Sequence, residues 1–149
     1  MMFATMDDLI PIISECINAG RSVEISPRGV SMLPLIREGR DSVVLSPLNR
    51  EIKKYDLPLY RRADGSYVLH RIVDVKKDVY TAIGDNQYVY ENGISRDQII
   101  AIVTAIRRDD KLISVESLSY RFYTVFHHAT RPVRHFVRRV IGRIRRLFK

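Results

Sequence analysis

The chain has 149 residues, enough for one domain with a real core, and its 46% hydrophobic and 28% charged content is that of an ordinary globular protein. No apolar run reaches the ~18 residues that a bilayer crossing needs. The net charge of +8 is confined to one end: Arg131, Arg134, Arg138, Arg139, Arg143, Arg145, Arg146 and Lys149 account for all of it, with no acid among them. Basicity is thus a property of a tail, and the charges ahead of it balance.

The start, "MMFATMDDLIPII", has no basic n-region and carries two aspartates, so it does not read as a signal peptide. A lone Cys16 gives neither a disulfide framework nor a metal site. The expected location is the cytoplasm. Residues 6–19 read as a helix with Ile10, Ile13 and Ile17 on one face. Asp7 or Asp8 would cap it, Pro11 would fall in the first turn, and Gly20 would stop it.

From there to residue 116 the pattern is strand. "SVEIS", "DSVVLS", "LPLYRR", "SYVLHRIVDV", "DVYTAIG", "IIAIVTAIRR" and "KLISVES" are separated by the turn signals "SPRG", "ADGS", "VKKD", "GDN" and "RDDK". "YRRADGSYVLHRI" and "RIVDVKKDVYTAI" read as successive hairpins. No helix-length pattern interrupts them, so parallel βαβ units are not expected. The fold class predicted is mainly β: a curled antiparallel domain over 21–116, an N-terminal helix over 1–20, and amphipathic helices over 117–149.

In the last part, "SLSYRFYTVFHHA" is helical in period, and Thr130 and Pro132 restart a helix, "PVRHFVRRVIGRIRRLFK". Apolar Val133, Phe136, Val137, Val140, Ile141, Ile144, Leu147 and Phe148 share one side, and arginines take the other. Such a helix suits an anionic membrane surface, with Arg134, Phe136, Arg138, Arg139, Val140, Ile144 and Phe148 as contacts. Docking on the domain with the arginines in water, or binding nucleic acid, fits the same pattern less well.

Four segments carry candidate chemistry: "GVSMLPLI", "IKKYDLPLYRR", "YVLHRIV" and "AIGDNQ". Each is weak alone. A serine hydroxyl is a poor nucleophile without a base within reach. A neutral imidazole can take its proton and return it to a leaving amine. A carboxylate can fix the imidazole tautomer. Ser31, His70 and Asp85 supply these three types. On strand alternation Val68, His70 and Ile72 share one face and Leu69, Arg71 and Val73 the other. A satisfied core histidine would look the same.

In order and spacing the segments resemble the signal peptidase I / LexA-like superfamily of serine peptidases. The matching residues are Gly29-Val30-Ser31-Met32-Leu33-Pro34, Tyr55-Asp56, His70-Arg71 and Gly84-Asp85-Asn86, within about residues 21–106. His70 stands where housekeeping and LexA-type members have lysine. In this the chain is similar to the archaeal, sporulation and endoplasmic-reticulum branch. The resemblance implies Ser31 as nucleophile, His70 as base and Asp85 as orienting acid. Backbone at Gly29 and Ser31 would hold the oxyanion, and Met32 and Pro34 would border the substrate groove. It implies no cofactor and no metal.

The partner implied is a peptide or protein, a precursor or leader with small residues before the cut. The hydroxyl that many signal peptidases place two residues before the nucleophile is absent at Gly29. Neither an N-terminal membrane helix nor a DNA-binding domain is expected in the short segment ahead of the core. Ala19-Gly20 resembles a self-cleavage pair, but its tether to Ser31 is short. The rival readings are a module that binds a peptide without cutting it, and a tethered regulator.

Overall fold

A computed structural model describes residues 5–149; the first four residues of the expected N-terminal segment lie outside the described residues. Helix α1 (Met6–Asn18) starts one position before the expected aspartates. Thr5 is the N-cap, and its hydroxyl and the Asp8 carboxylate form a reciprocal capping box. Pro11 therefore sits inside the helix, where its missing N–H leaves the Asp7 carbonyl without its usual donor. Gly20, at φ 74°, ends it: Arg21 N–H donates to the Cys16 carbonyl at 2.8 Å and Gly20 N–H to that of Ile17 at 3.0 Å. The Ala19-Gly20 pair is held in this cap.

Among the described residues nine strands form two antiparallel sheets. In the first, β1 (Val23–Ile25), β2 (Asp41–Ser46), β8 (Ile99–Arg108), β3 (Pro58–Arg61) and β4 (Tyr67–Leu69) lie in that order, and β9 (Lys111–Ser114) also pairs with β8. The second orders β5 (Arg71–Lys76), β6 (Val79–Ile83) and β7 (Glu91–Ser95). The fold is thus mainly β and antiparallel, as the alternating runs predict.

β8 explains the layering. Its "IIAIVTAI" is apolar at nearly every position because both faces are covered. Ala101, Val103 and Ile106 join Leu59, Val43, Leu45 and Ile13 in a cluster beneath α1. Ile99 and Ile102 join Tyr60, Ile72 and Tyr80 in a second cluster against the other sheet. Each fully buried side chain such as Ile13 stabilises by about 1.5–3 kcal/mol. Register shifts at Val44/Leu45, Leu59/Tyr60, Ile72/Asp74 and Tyr80/Ala82 bend the strands.

Two expectations need correction. "SYVLHRIVDV" is two strands rather than one: β4 belongs to the first sheet, β5 to the second, and His70 is the residue at the break. On either side of the break Val68 and Ile72 pack into the second cluster, while Leu69 packs against the first. β7, "ENGIS", was not among the expected strands. Its Asn-Gly looks like a turn, and Gly93 does have φ 75°, yet the segment pairs with β6.

Helix α2 (Leu118–Ala129) and helix α3 (Arg131–Leu147) close the chain. Thr130 joins them with little interruption: its N–H donates to the Phe126 carbonyl and its own carbonyl accepts from Arg134, both at 3.0 Å. No helix among the described residues is long and apolar enough to cross a membrane.

Candidate active site

Ser31 lies in the turn region that follows Gly29, whose φ of 94° requires a glycine-like conformation. This loop is fastened to the Gly84–Gln87 turn. Asn86 N–H donates to the Ser31 carbonyl at 2.8 Å, the Asn86 amide donates to the Val30 carbonyl at 3.0 Å, and Asp85 N–H points at the Met32 sulfur at 3.5 Å. A Cβ on Gly84 would lie 2.6 Å from the Ser31 carbonyl oxygen, so only glycine permits the approach. The "GVSM" and "GDN" segments, distant in sequence, are one structural unit.

His70 adjoins that unit. His70 directly precedes Arg71, which pairs with Ile83 across β5 and β6, and Gly84 directly follows Ile83. Tyr55 and Asp56 brace the same strand: Tyr55 N–H donates to the Ile72 carbonyl at 2.7 Å and Ile72 N–H to the Asp56 carbonyl at 2.8 Å. Tyr55, at φ 75°, takes a conformation glycine adopts more easily.

Ser31 lines a cavity of about 110 Å³ with Arg28, Gly29, Met32 and, on β4, Val68 and Leu69. β4 is the outer strand of its sheet, so an unpaired edge borders this cavity. Among the described residues no hydrogen bond joins Ser31 to His70.

The carboxylates exchange the expected roles. Asp85 does not orient His70. Its two oxygens take Arg71 Nε at 2.8 Å and Nη2 at 2.9 Å, with both side chains buried. Arg71 Nη1 adds the Tyr55 carbonyl at 3.1 Å and the Tyr120 hydroxyl at 3.0 Å. Two charges taken from water must be paired this completely to be tolerated. The Asp85 carboxylate raises the Arg71 pKa further, against a burial effect that lowers it.

The carboxylate that faces His70 is Glu91, with Oε1 3.2 Å from Nδ1. The pair lacks the alignment of a hydrogen bond, becomes an ion pair only when the imidazole is protonated, and leaves Nδ1 without a hydrogen-bond partner among the described residues. Glu91 is itself fixed by Arg62 and by the Tyr60 hydroxyl, which donates to Oε2 at 2.6 Å. Burial works against its ionisation, but these hydrogen bonds prevail and hold the carboxyl below its ordinary range. His70 is 2% exposed, and burial pushes its pKa below 6.5 despite the Glu91 charge. The neutral form of the ring is therefore favoured at pH 7.

Sequence reasoning missed Glu91, Tyr60 and Arg62. Tyr60 and Arg62 lie in "LPLYRR" and could have been read as facing the next hairpin. Glu91 opens the unrecognised β7.

Other expected site residues divide. Gly29 N–H is already donated to Glu38 Oε2 at 2.8 Å and is not free for an oxyanion. Among the described residues no acceptor takes the Ser31 amide, which remains available. Met32 is buried on the cavity wall, whereas Pro34 is exposed and outside it.

In the tail, Phe136, Arg139, Val140, Ile144 and Phe148 are exposed as expected. Arg134 and Arg138 are not free surface contacts. Arg134 Nη1 donates to the His127 carbonyl at 2.6 Å and the Thr130 hydroxyl at 2.9 Å. Arg138 reaches inward to Asn86 Oδ1 at 2.8 Å and lies over the Tyr88 ring.

Both helices thus grip the Gly84–Gln87 turn, since His127 Nε2 also bonds the Asp85 carbonyl at 2.8 Å and Arg131 Nη1 donates to the carbonyls of Gly84 and Gln87. No group of metal-ligating side chains occurs among the described residues. Comparison with protein-family models, with curated proteins and with solved structures gave no match.

Proposed function

We propose that the protein is a serine endopeptidase related to the signal peptidase I / LexA-like superfamily, with Ser31 as nucleophile and His70 as general base and acid. The supporting observation is the junction at Gly84: the Ser31 loop touches this residue, and a buried His70, its pKa lowered by burial, directly precedes Arg71, the register partner of Ile83 next to Gly84. Nε2 would remove the Ser31 proton as Oγ attacks the scissile carbonyl, then deliver it to the leaving amine. The resulting imidazolium would be stabilised by Glu91, in the role that Asp85 was expected to take. The Ser31 amide supports a backbone oxyanion contact. Attack requires the Ser31 side chain to come within hydrogen-bond reach of His70 once substrate is bound.

The substrate would be an extended segment of a precursor or leader peptide, added to the free edge of β4 beside the cavity. The same edge favours the second reading, capture of a peptide without cleavage. Incubation with a peptide library separates the two. Cleavage by the wild type that disappears in Ser31→Ala supports the peptidase; peptide binding without cleavage by the wild type supports the module. Attachment of α3 to the inner face of the cell membrane belongs to this proposal, supported by its exposed apolar side chains and its uncompensated arginines.

A further inference from the structure

The C-terminal helices are docked the reverse of the usual way. An amphipathic helix on a domain normally buries its apolar stripe. Here the side chains that meet the domain are polar or amphipathic: Tyr120, Thr124, His127, Arg131, His135 and Arg138. Their steps of three and four residues run through Thr130 without a change of phase, so α2 and α3 present one continuous inward face.

The opposite face is equally continuous. Leu118, Phe122, Val125 and Ala129 of α2 lead in the same three- and four-residue steps into Val133, Phe136, Val140, Ile144 and Leu147 of α3. All are exposed, the large side chains from 37% at Val140 to 82% at Leu118 and Leu147.

Charge identifies what this stripe meets. Residues 117–149 contain no acid. Arg121, Arg139, Arg143 and Arg146 fall along one border of the stripe at helical spacing. Lys53 and Lys54 of the β domain join Arg121 around a cleft of about 470 Å³ that Val125 also lines. Asp56 in that cleft is already paired with Arg50, which leaves Glu116 as its other acid. A second copy of the chain would bring like charges together along such a stripe. Nucleic acid would use the cations and leave the aromatic and aliphatic side chains in water. An anionic bilayer uses both.

We propose that α2 and α3 are one membrane-surface element, laid lengthwise on an anionic bilayer with the whole stripe from Leu118 to Leu147 among the lipids. The inward face holds the Gly84–Gln87 turn, so the candidate site lies directly behind the membrane-bound helices. This rests on the proposed membrane attachment of α3 and adds α2, the orientation, and the nearness of the site to the lipid.

The chain contains no tryptophan, so Phe122→Trp and Phe136→Trp each give the full-length protein a single depth reporter at an exposed position. Vesicles of phosphatidylcholine with phosphatidylglycerol, carrying brominated acyl chains, should shift both emissions to the blue and quench both. Binding should be on the order of 10³-fold tighter than to phosphatidylcholine alone, from the four border arginines at about 1 kcal/mol for each cation near the surface. A response at Phe136→Trp with none at Phe122→Trp overturns the joint element and leaves α3 as sole anchor. No response at either position overturns the attachment itself. Duplex DNA that binds the chain while both reporters stay water-like assigns the tail to nucleic acid instead. Blue shifts that grow with protein concentration without vesicles assign the stripe to a second copy.

Discussion

At His70 two opposing effects act on one imidazole. Burial disfavours its charged form and the Glu91 carboxylate favours it, and burial wins, so the ring is neutral where a base is needed. In the proposed mechanism the acid limb of kcat/KM for peptide cleavage reports this group and should have its midpoint below 6.5. Stability carries the same sign. The unfolded chain binds a proton at His70 more readily than the folded one, so this residue destabilises the fold as pH drops below 6.5 and has no effect well above it. Glu91→Gln should lower kcat by about 10²-fold or more, since the imidazolium loses its counter-charge. Asp85→Asn should instead lower the melting temperature, because an unpaired buried Arg71 costs about 3–5 kcal/mol, or on the order of 10 °C for a chain of this size. Cleavage kinetics and thermal denaturation of both variants separate the two carboxylates. If Asp85→Asn shifts the pH limb and Glu91→Gln does not, the assignment is reversed.

At the scale of elements, the decisive contact is loop against turn. Gly84→Ala would force a Cβ against the Ser31 carbonyl and the Gln87 side chain. The backbone must then give way, at about 1–3 kcal/mol for an overpacked contact. Peptide cleavage is expected to fall much further than stability, because Ser31 is carried by that carbonyl. Equal losses in both would make the contact merely structural. Apart from β7 and the break at His70, the strands, hairpins and helices were legible because their apolar periods are strong, as in β8, "IIAIVTAIRR". The order of "GVSM", "YVLHRI" and "GDN" likewise brought attention to segments that do meet. What could not be read was partner choice. A glutamate in a weak strand, "ENGIS", and an aspartate in a plain turn look alike until the sheets stack. Arg71 then claims Asp85, and β7 delivers Glu91 to His70. The break at His70 was hidden for the same reason: ten residues of unbroken strand pattern give no sign of a change of sheet.

For the whole molecule, the layers set where chemistry and anchoring lie. The first sheet holds α1 on one face and the second sheet on the other, while α2 and α3 reach across to the turn that supports Ser31. Acid tolerance belongs to this scale too. Asp41, its side chain fully buried, ties Arg40, Arg108 and the Arg37 N–H together at the end of β2. Burial opposes its charge, but these bonds lower its pKa to about 2. Its stabilising share is complete above the ordinary carboxyl value and is lost as pH falls through about 2. Denaturant titrations of Asp41→Asn should therefore lose stability at neutral pH and show a flatter decline between pH 4 and 2 than the wild type. Parallel curves would remove Asp41 from the acid limb.

The central claim, that Ser31 is an activated nucleophile, is tested without knowledge of the substrate by mass-spectrometric mapping of a fluorophosphonate adduct. The account predicts one adduct, on Ser31, that disappears in Ser31→Ala, is greatly reduced in His70→Ala, and fades as the pH drops below the His70 midpoint. A folded wild-type protein that gives no adduct on Ser31, or one that labels equally in His70→Ala, would contradict it.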